Sequence, residues 1–188
     1  MKKAFLLASI LFISVISTAC INNFAVQELN NKAKDFMDKG DYASAIERLK
    51  SSVDLDESVF ETQYNLAVAY TKAEDYANAV KTYNDAIKLN PDFADAYYSL
   101  AVCEENLAKD IISGEVIVNE DGTYEKTESD DDDEKQNKKE LSDKAKSTIV
   151  SLLNSAMSNY NIYKEKNATA DIEDKVDELR TLVEKYSK

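Results

Sequence analysis

The chain contains no histidine and no tryptophan, and only one proline, two cysteines and three glycines in 188 residues. Without histidine, Ser-His-Asp triads, Cys-His pairs and histidine-bearing metal sites are excluded. Gly40, Gly114 and Gly122 are spaced too widely for a GxxxxGK phosphate loop or a GxGxxG turn. So few turn residues argue against an all-β fold and for long helices. Basic charge is scarce as well: 23 Lys and Arg stand against 36 Asp and Glu, a net charge of −13. Such a chain repels phosphate backbones and anionic headgroups, so neither nucleic-acid binding nor charge-driven membrane docking is expected. Nothing in this inventory points to an enzyme, a cofactor or a metal.

What is present begins with a leader. Lys2 and Lys3 precede an apolar run from Ala4 to Ile16, and the small residues Ser17, Thr18 and Ala19 lead to Cys20. The run is short for a bilayer span and has the layout of a secretory signal peptide. Cysteine directly after Ala19 resembles a bacterial lipoprotein signal, which implies cleavage after residue 19 and acylation of Cys20. Ser17 stands where such signals usually carry leucine. Loss of Lys2 and Lys3 with the leader takes the net charge to −15, so attachment to a membrane has to come from the acyl chains. Residues 20–25 then form a short tether. Cys103, in AYYSLAVCEENLA, has no basic neighbour to activate it and reads as a small buried apolar residue.

Residues 26–188 read as one all-α domain. In FETQYNLAVAYTKAEDYANAVKTYNDAIKLNPDF, Phe60 to Phe93, the residues Leu66, Ala67, Tyr70, Ala79, Tyr83 and Ala86 recur at helical spacing before Pro91. Thirty-four residues upstream, Ala33, Phe36, Gly40, Asp41, Tyr42, Ala45, Leu49 and Leu55 repeat the pattern. Alanine at 45, 79 and 86 allows two helices to approach closely, and Pro91 ends the second helix. This pattern resembles the tetratricopeptide repeat (TPR), a pair of antiparallel helices in 34 residues. The resemblance implies a right-handed α-α superhelix of about three helix pairs. Its repeats span residues 26–59, 60–93, and 94–109 with 140–166, the third split by an insertion at 110–139 and followed by a capping helix at 169–187. Tyr97, Leu100 and Ala101 take the packing positions of the third repeat.

In TPR proteins the first helix of each repeat lines a concave face. Carried over by position, that face comprises Asn30, Lys34 and Met37, then Tyr64, Val68, Thr71 and Lys72, then Asp95, Tyr98, Val102, Glu105 and Asn106. Tyrosines among polar groups suit an extended or helical segment laid in a groove. One TPR subclass clamps a C-terminal carboxylate with basic side chains and asparagines. Asn65 fits it, whereas Asp95 and Ser99 stand at positions where that clamp is basic.

The insertion opens with a β-branched run, Glu115 to Val118, a turn signal at Asn119 to Gly122 and a returning strand at Thr123 to Glu125, which predicts a small hairpin. Residues 110–140 hold twelve acids against four lysines. The run Asp130 to Asp133 lacks the alternation and the glycine of a calcium loop, so it reads as a solvating acidic loop or as a patch for a basic partner. Farther on, Ala145, Ile149, Leu152, Leu153, Ala156, Met157 and Tyr160 mark one helix face. Ile172, Val176, Leu179, Val183 and Tyr186 mark another, with Thr169 as the expected N-cap of the last helix.

Together these features predict a lipid-anchored TPR adaptor of the bacterial cell envelope, periplasmic or on the outer surface. Its groove would hold a segment of an envelope protein. A receptor or transport accessory for a small apolar ligand is the alternative.

Overall fold

The computed structural model describes residues 23–127 and 141–187. The leader, Cys20 and the acidic run at 128–134 lie outside the described residues. Among those described there are seven helices and one two-stranded hairpin. They are α1 (23–38), α2 (Tyr42–Leu55), α3 (Phe60–Lys72), α4 (Tyr76–Leu89), α5 (Ala94–Ser113), β1 (Val116–Val118), β2 (Tyr124–Lys126), α6 (Asp143–Lys166) and α7 (Glu173–Tyr186). The chain divides into two compact units, Met1–Ala73 and Glu74–Lys188.

The 34-residue period is visible in local geometry. Helices α2 and α4 have equal length and begin 34 residues apart. Each is capped by an aspartate that accepts from the backbone N–H three residues on: Asp41 from Ser44 at 3.1 Å, and Asp75 from Asn78 at 3.2 Å. Such a cap satisfies one of the unpaired donors of a first turn. Each cap follows a left-handed residue, Gly40 at φ 75° and Glu74 at φ 55°. Glycine adopts that region freely, and a residue with a β-carbon does so under strain.

In the first unit, Ala33 of α1, Ala45 and Leu49 of α2, and Leu66 and Ala69 of α3 form the core. The alanines leave almost no side chain between backbones, which is why the three helices pack so closely.

In the second unit α5 packs most extensively on α6, with further contacts from α4 to α5 and from α7 to α6. Its core joins Ala101, Leu107 and Ile111 of α5 to Ile149, Leu153, Ala156 and Tyr160 of α6 and to Leu179 of α7. The hairpin forms where the turn chemistry placed it. β1 and β2 pair antiparallel with Ile117 opposite Glu125, and Gly122 turns the chain at φ 86°. Val116 and Val118 point into the core while Ile117 faces solvent, the alternation expected of a strand with one buried face.

Three helix limits differ from the sequence reading. Helix α1 is already formed at residue 23, inside the stretch 20–25 read as a tether. Helix α5 continues past Lys109 to Ser113, because Ile111 extends the buried row begun by Leu107 and Ala108. It stops at Gly114, left-handed at φ 87°, whose N–H bonds back to the Asp110 and Ile111 carbonyls. Thr169 does not cap the last helix. Helix α7 starts at Glu173 after Ile172 with no side-chain cap, and the Thr169 hydroxyl donates instead to Asn167 Oδ1 at 3.0 Å. Burial of Ile172 fixes that start.

Candidate functional site

In the first unit, α1 and α3 are neighbours, since Asn30 on α1 donates through Nδ2 to Thr62 Oγ1 on α3 at 2.8 Å. The same nitrogen lies 2.9 Å from Ser52 Oγ on α2 and 2.9 Å from the Val26 carbonyl. Asn30 is therefore a tie among three helices and not a free groove side chain.

The remaining predicted residues of this unit sit nearer the surface. Lys34 and Lys72 are exposed, and Met37, Tyr64, Val68 and Thr71 are half-buried. On α3 the spacing of 64, 68, 71 and 72 places four of them on one helical face. The Tyr64 ring stacks on Phe60 with centroids 5.9 Å apart, and the Thr71 hydroxyl donates to the Ala67 carbonyl. In this unit Met37 on α1 and Tyr64 and Val68 on α3 are thus each half-buried apolar side chains, and each of the two helices also carries an exposed lysine.

In the second unit the predicted face of α5 is partly covered by α6 and α7. Glu105 is 5% exposed and accepts from Lys109 Nζ at 2.6 Å, Tyr160 Oη at 2.9 Å and Lys175 Nζ at 3.3 Å. Burial by itself would push its carboxyl up. The bonds from Lys109 and Tyr160 and the charges of Lys109 and Lys175 outweigh it, and the carboxyl is held below the ordinary range. The Tyr160 hydroxyl is in turn pushed far up by burial and by the Glu105 charge. Glu105 is a structural anchor, which corrects its assignment to the groove.

Tyr98 is 36% exposed, yet its ring meets Tyr160 at 5.6 Å and Tyr163 at 5.0 Å. Val102 packs on the core of this unit. Asn106 is half-buried, and Asp95 is exposed in the first turn of α5. Tyr97, expected in the packing, is half-buried and donates to the Pro91 carbonyl at 3.1 Å.

Sequence reading missed Glu104. It is 3% exposed and accepts from Ser155 Oγ at 2.6 Å and Asn159 Nδ2 at 2.8 Å. Burial holds its carboxyl above the ordinary range, against the pull of those two donors. The available signal was its place in a row with Leu100, Leu107 and Ala108, where a charged residue needs partners. Cys103 is fully buried, as the sequence implied. Among the described residues, no cluster of three or more His, Cys, Asp or Glu is placed to hold a metal ion.

Comparison with known proteins shows what kind of helix pairs these are. The family model described as TPR repeat matches residues 69–103. The first TPR domain of human RPAP3 aligns with TM-score 0.55 and 16% identity, over 86% of this chain and 94% of that one. The second TPR domain of human RPAP3, in complex with the HSP70 peptide SGPTIEEVD, aligns with TM-score 0.54 and 16% identity, over 89% and 98% of the two chains. The first TPR of Spaghetti (RPAP3), bound to the HSP90 peptide SRMEEVD, aligns with TM-score 0.52 and 18% identity, over 86% and 90%. A comparison with curated proteins gives no match. The chain therefore carries TPR-type helix pairs, and the likeness to these structures is one of fold.

Proposed function

We propose that these TPR-type helix pairs form a lipid-anchored adaptor of the bacterial cell envelope, whose first unit holds a segment of a partner protein against α1 and α3. The observation that carries the reading is the half-buried state of Met37 on α1 and of Tyr64 and Val68 on one face of α3, with Lys34 and Lys72 exposed on the same two helices. A partly desolvated aromatic anchor supplies binding area, and the flanking polar groups fix register.

The similar RPAP3 domains are described with peptides ending in EEVD. In this chain Asp95 and Ser99 occupy positions where a carboxylate clamp is basic, and Asp95 is exposed. A partner with an acidic terminus is disfavoured at that point, so the partner is an internal, extended or helical segment. The small apolar ligand has less support, because Tyr98 rests on Tyr160 and Tyr163 of its own unit.

Anchoring follows from Cys20. Among the described residues no helix is long and apolar enough to cross a membrane. Acyl chains at about 0.8 kcal/mol per buried methylene would hold the chain without basic residues. Three Cα steps separate Cys20 from residue 23, where α1 is already helical, so the domain begins within about 11 Å of the lipidated residue.

Crosslinking in native cells, comparing the wild type with Tyr64→Ala/Val68→Ser, tests the partner face. We expect at least a tenfold loss of the crosslinked segment, and full retention in the variant would sink the assignment. Mass spectrometry of the mature N-terminus tests the anchor, where an unmodified Cys20 contradicts it.

A further inference from the structure

The second unit contains a cavity of about 350 Å³ among α4, α5 and the hairpin, within the range of small-molecule sites. Leu107, Val116 and the aromatic side chains of Tyr76 and Tyr124 give it apolar walls. Five charged residues share the lining: Glu74, Asp75 and Asp110, Lys81 and Lys126; Asp75 is engaged as the cap of α4, accepting from Asn78. Among the described residues none of the other four is in an ion pair, although two are acidic and two basic, and Lys126 acts on Asp110 only through its charge. Glu74, Lys81 and Lys126 are exposed at the rim and Asp110 is half-buried, so charges of both signs are presented to whatever enters.

Two further observations locate the negative side. The Asp110 carboxyl is pushed up by burial, then by Glu115 and Glu74, with Lys126 opposing. The Tyr76 hydroxyl is pushed up by burial, then by Glu74 and Asp110. Negative potential thus gathers beside Asp110 and Tyr76. Glu74 also holds a left-handed turn where the equivalent turn, 34 residues earlier, uses Gly40, so the chain carries a carboxylate at a position where the backbone would be relaxed with glycine.

We propose that this cavity binds a small zwitterion of the amino-acid or dipeptide class. Its ammonium or guanidinium group faces Glu74 and Asp110, its carboxylate faces Lys81 and Lys126, and its side chain lies against Tyr76 and Tyr124. The aromatic rings add cation–π attraction to the charge pairing. A ligand with both charges complements the acids and the lysines together, whereas a simple cation would be repelled by the lysines and a simple anion by the acids. The inference is independent of the adaptor reading and concerns the second unit alone.

The test is calorimetric titration of the full chain with arginine, lysine and alanyl-alanine, alongside analogues blocked at one end. We expect the zwitterions to bind, with at least a tenfold loss on N-acetylating alanyl-alanine or amidating the carboxylate of any of the three. Glu74→Gly with Asp110→Asn should remove the preference for a free amino group, and Lys81→Met with Lys126→Met the preference for a free carboxylate. Glu74→Gly copies the Gly40 turn, and far-UV circular dichroism checks that each variant is folded. Tetra-alanine distinguishes a free small molecule from the end of a longer peptide, since only the latter accommodates it. Absence of binding by all three zwitterions at 10 mM would overturn the proposal, as would equal binding of blocked and unblocked forms or indifference to both double substitutions.

Discussion

Glu104 and Glu105 are neighbours on α5, both buried, and they should respond to pH in opposite directions. Glu104 accepts two neutral hydrogen bonds from α6, and burial holds its carboxyl above the ordinary range. The folded state therefore takes up that proton more readily than the unfolded chain. Its contribution is fully present below the unfolded pKa and is lost as pH rises through the folded one. Glu105 accepts from Lys109, Tyr160 and Lys175. Burial raises its carboxyl, but those partners outweigh burial and hold it low. Its contribution is present above the unfolded pKa and is lost as pH falls through the folded one. Replacing Glu104 by Gln keeps an acceptor for Ser155 or Asn159 and removes the buried charge. We expect the variant to gain on the wild type as pH rises from the acid side toward neutrality, by about 1 kcal/mol, the scale of one hydrogen bond. Replacing Glu105 by Gln should cost about 2 kcal/mol at neutral pH, a figure kept low because Lys109 and Lys175 are half in water, and almost nothing at low pH. Urea unfolding at a series of pH values, followed by far-UV circular dichroism, reads both. Parallel profiles for the two variants, or slopes of the same sign, would refute the reasoning.

Other expectations follow from the packing. Asn30→Ala removes the shared donor among α1, α2 and α3 and leaves Ser52 and Thr62 short of a partner, so the first unit should lose about 2 kcal/mol in urea unfolding. Gly40→Ala places a β-carbon at φ 75° and should lower stability by about 1 kcal/mol, while Glu74→Gly should raise it by up to about 1 kcal/mol, because both positions are left-handed. Ala156→Leu forces a side chain into a fully buried position in the core of the second unit and should cost about 2 kcal/mol by thermal or urea denaturation.

Much of the fold was legible in the sequence because it rests on local rules. The alanine positions and the aspartates that cap α2 and α4 act within one helix or one turn, so residues 34 apart reproduce them; the proline stop at Pro91 is equally local. The hairpin was legible for the same reason, through Asn119 to Gly122. The candidate surface was less legible, because whether a side chain faces solvent depends on what packs across from it. Asn30 and Glu105 were expected on a groove from the repeat resemblance, and here Thr62 on α3 and Tyr160 on α6 draw them in. Thr169 failed as a cap because burying Ile172 outweighed one side-chain hydrogen bond. The cavity became visible only when the hairpin was brought against α4 and α5, although the exchange of Gly40 for Glu74 could be seen in the aligned repeats.

The paired turns at Gly40-Asp41 and Glu74-Asp75 close their own hydrogen bonds and ask nothing of distant residues. They work as joints of a kit. A further 34-residue copy spliced between Val59 and Phe60 would bring its own bend and its own cap, so the array can grow by whole units while each existing corner stays as it is.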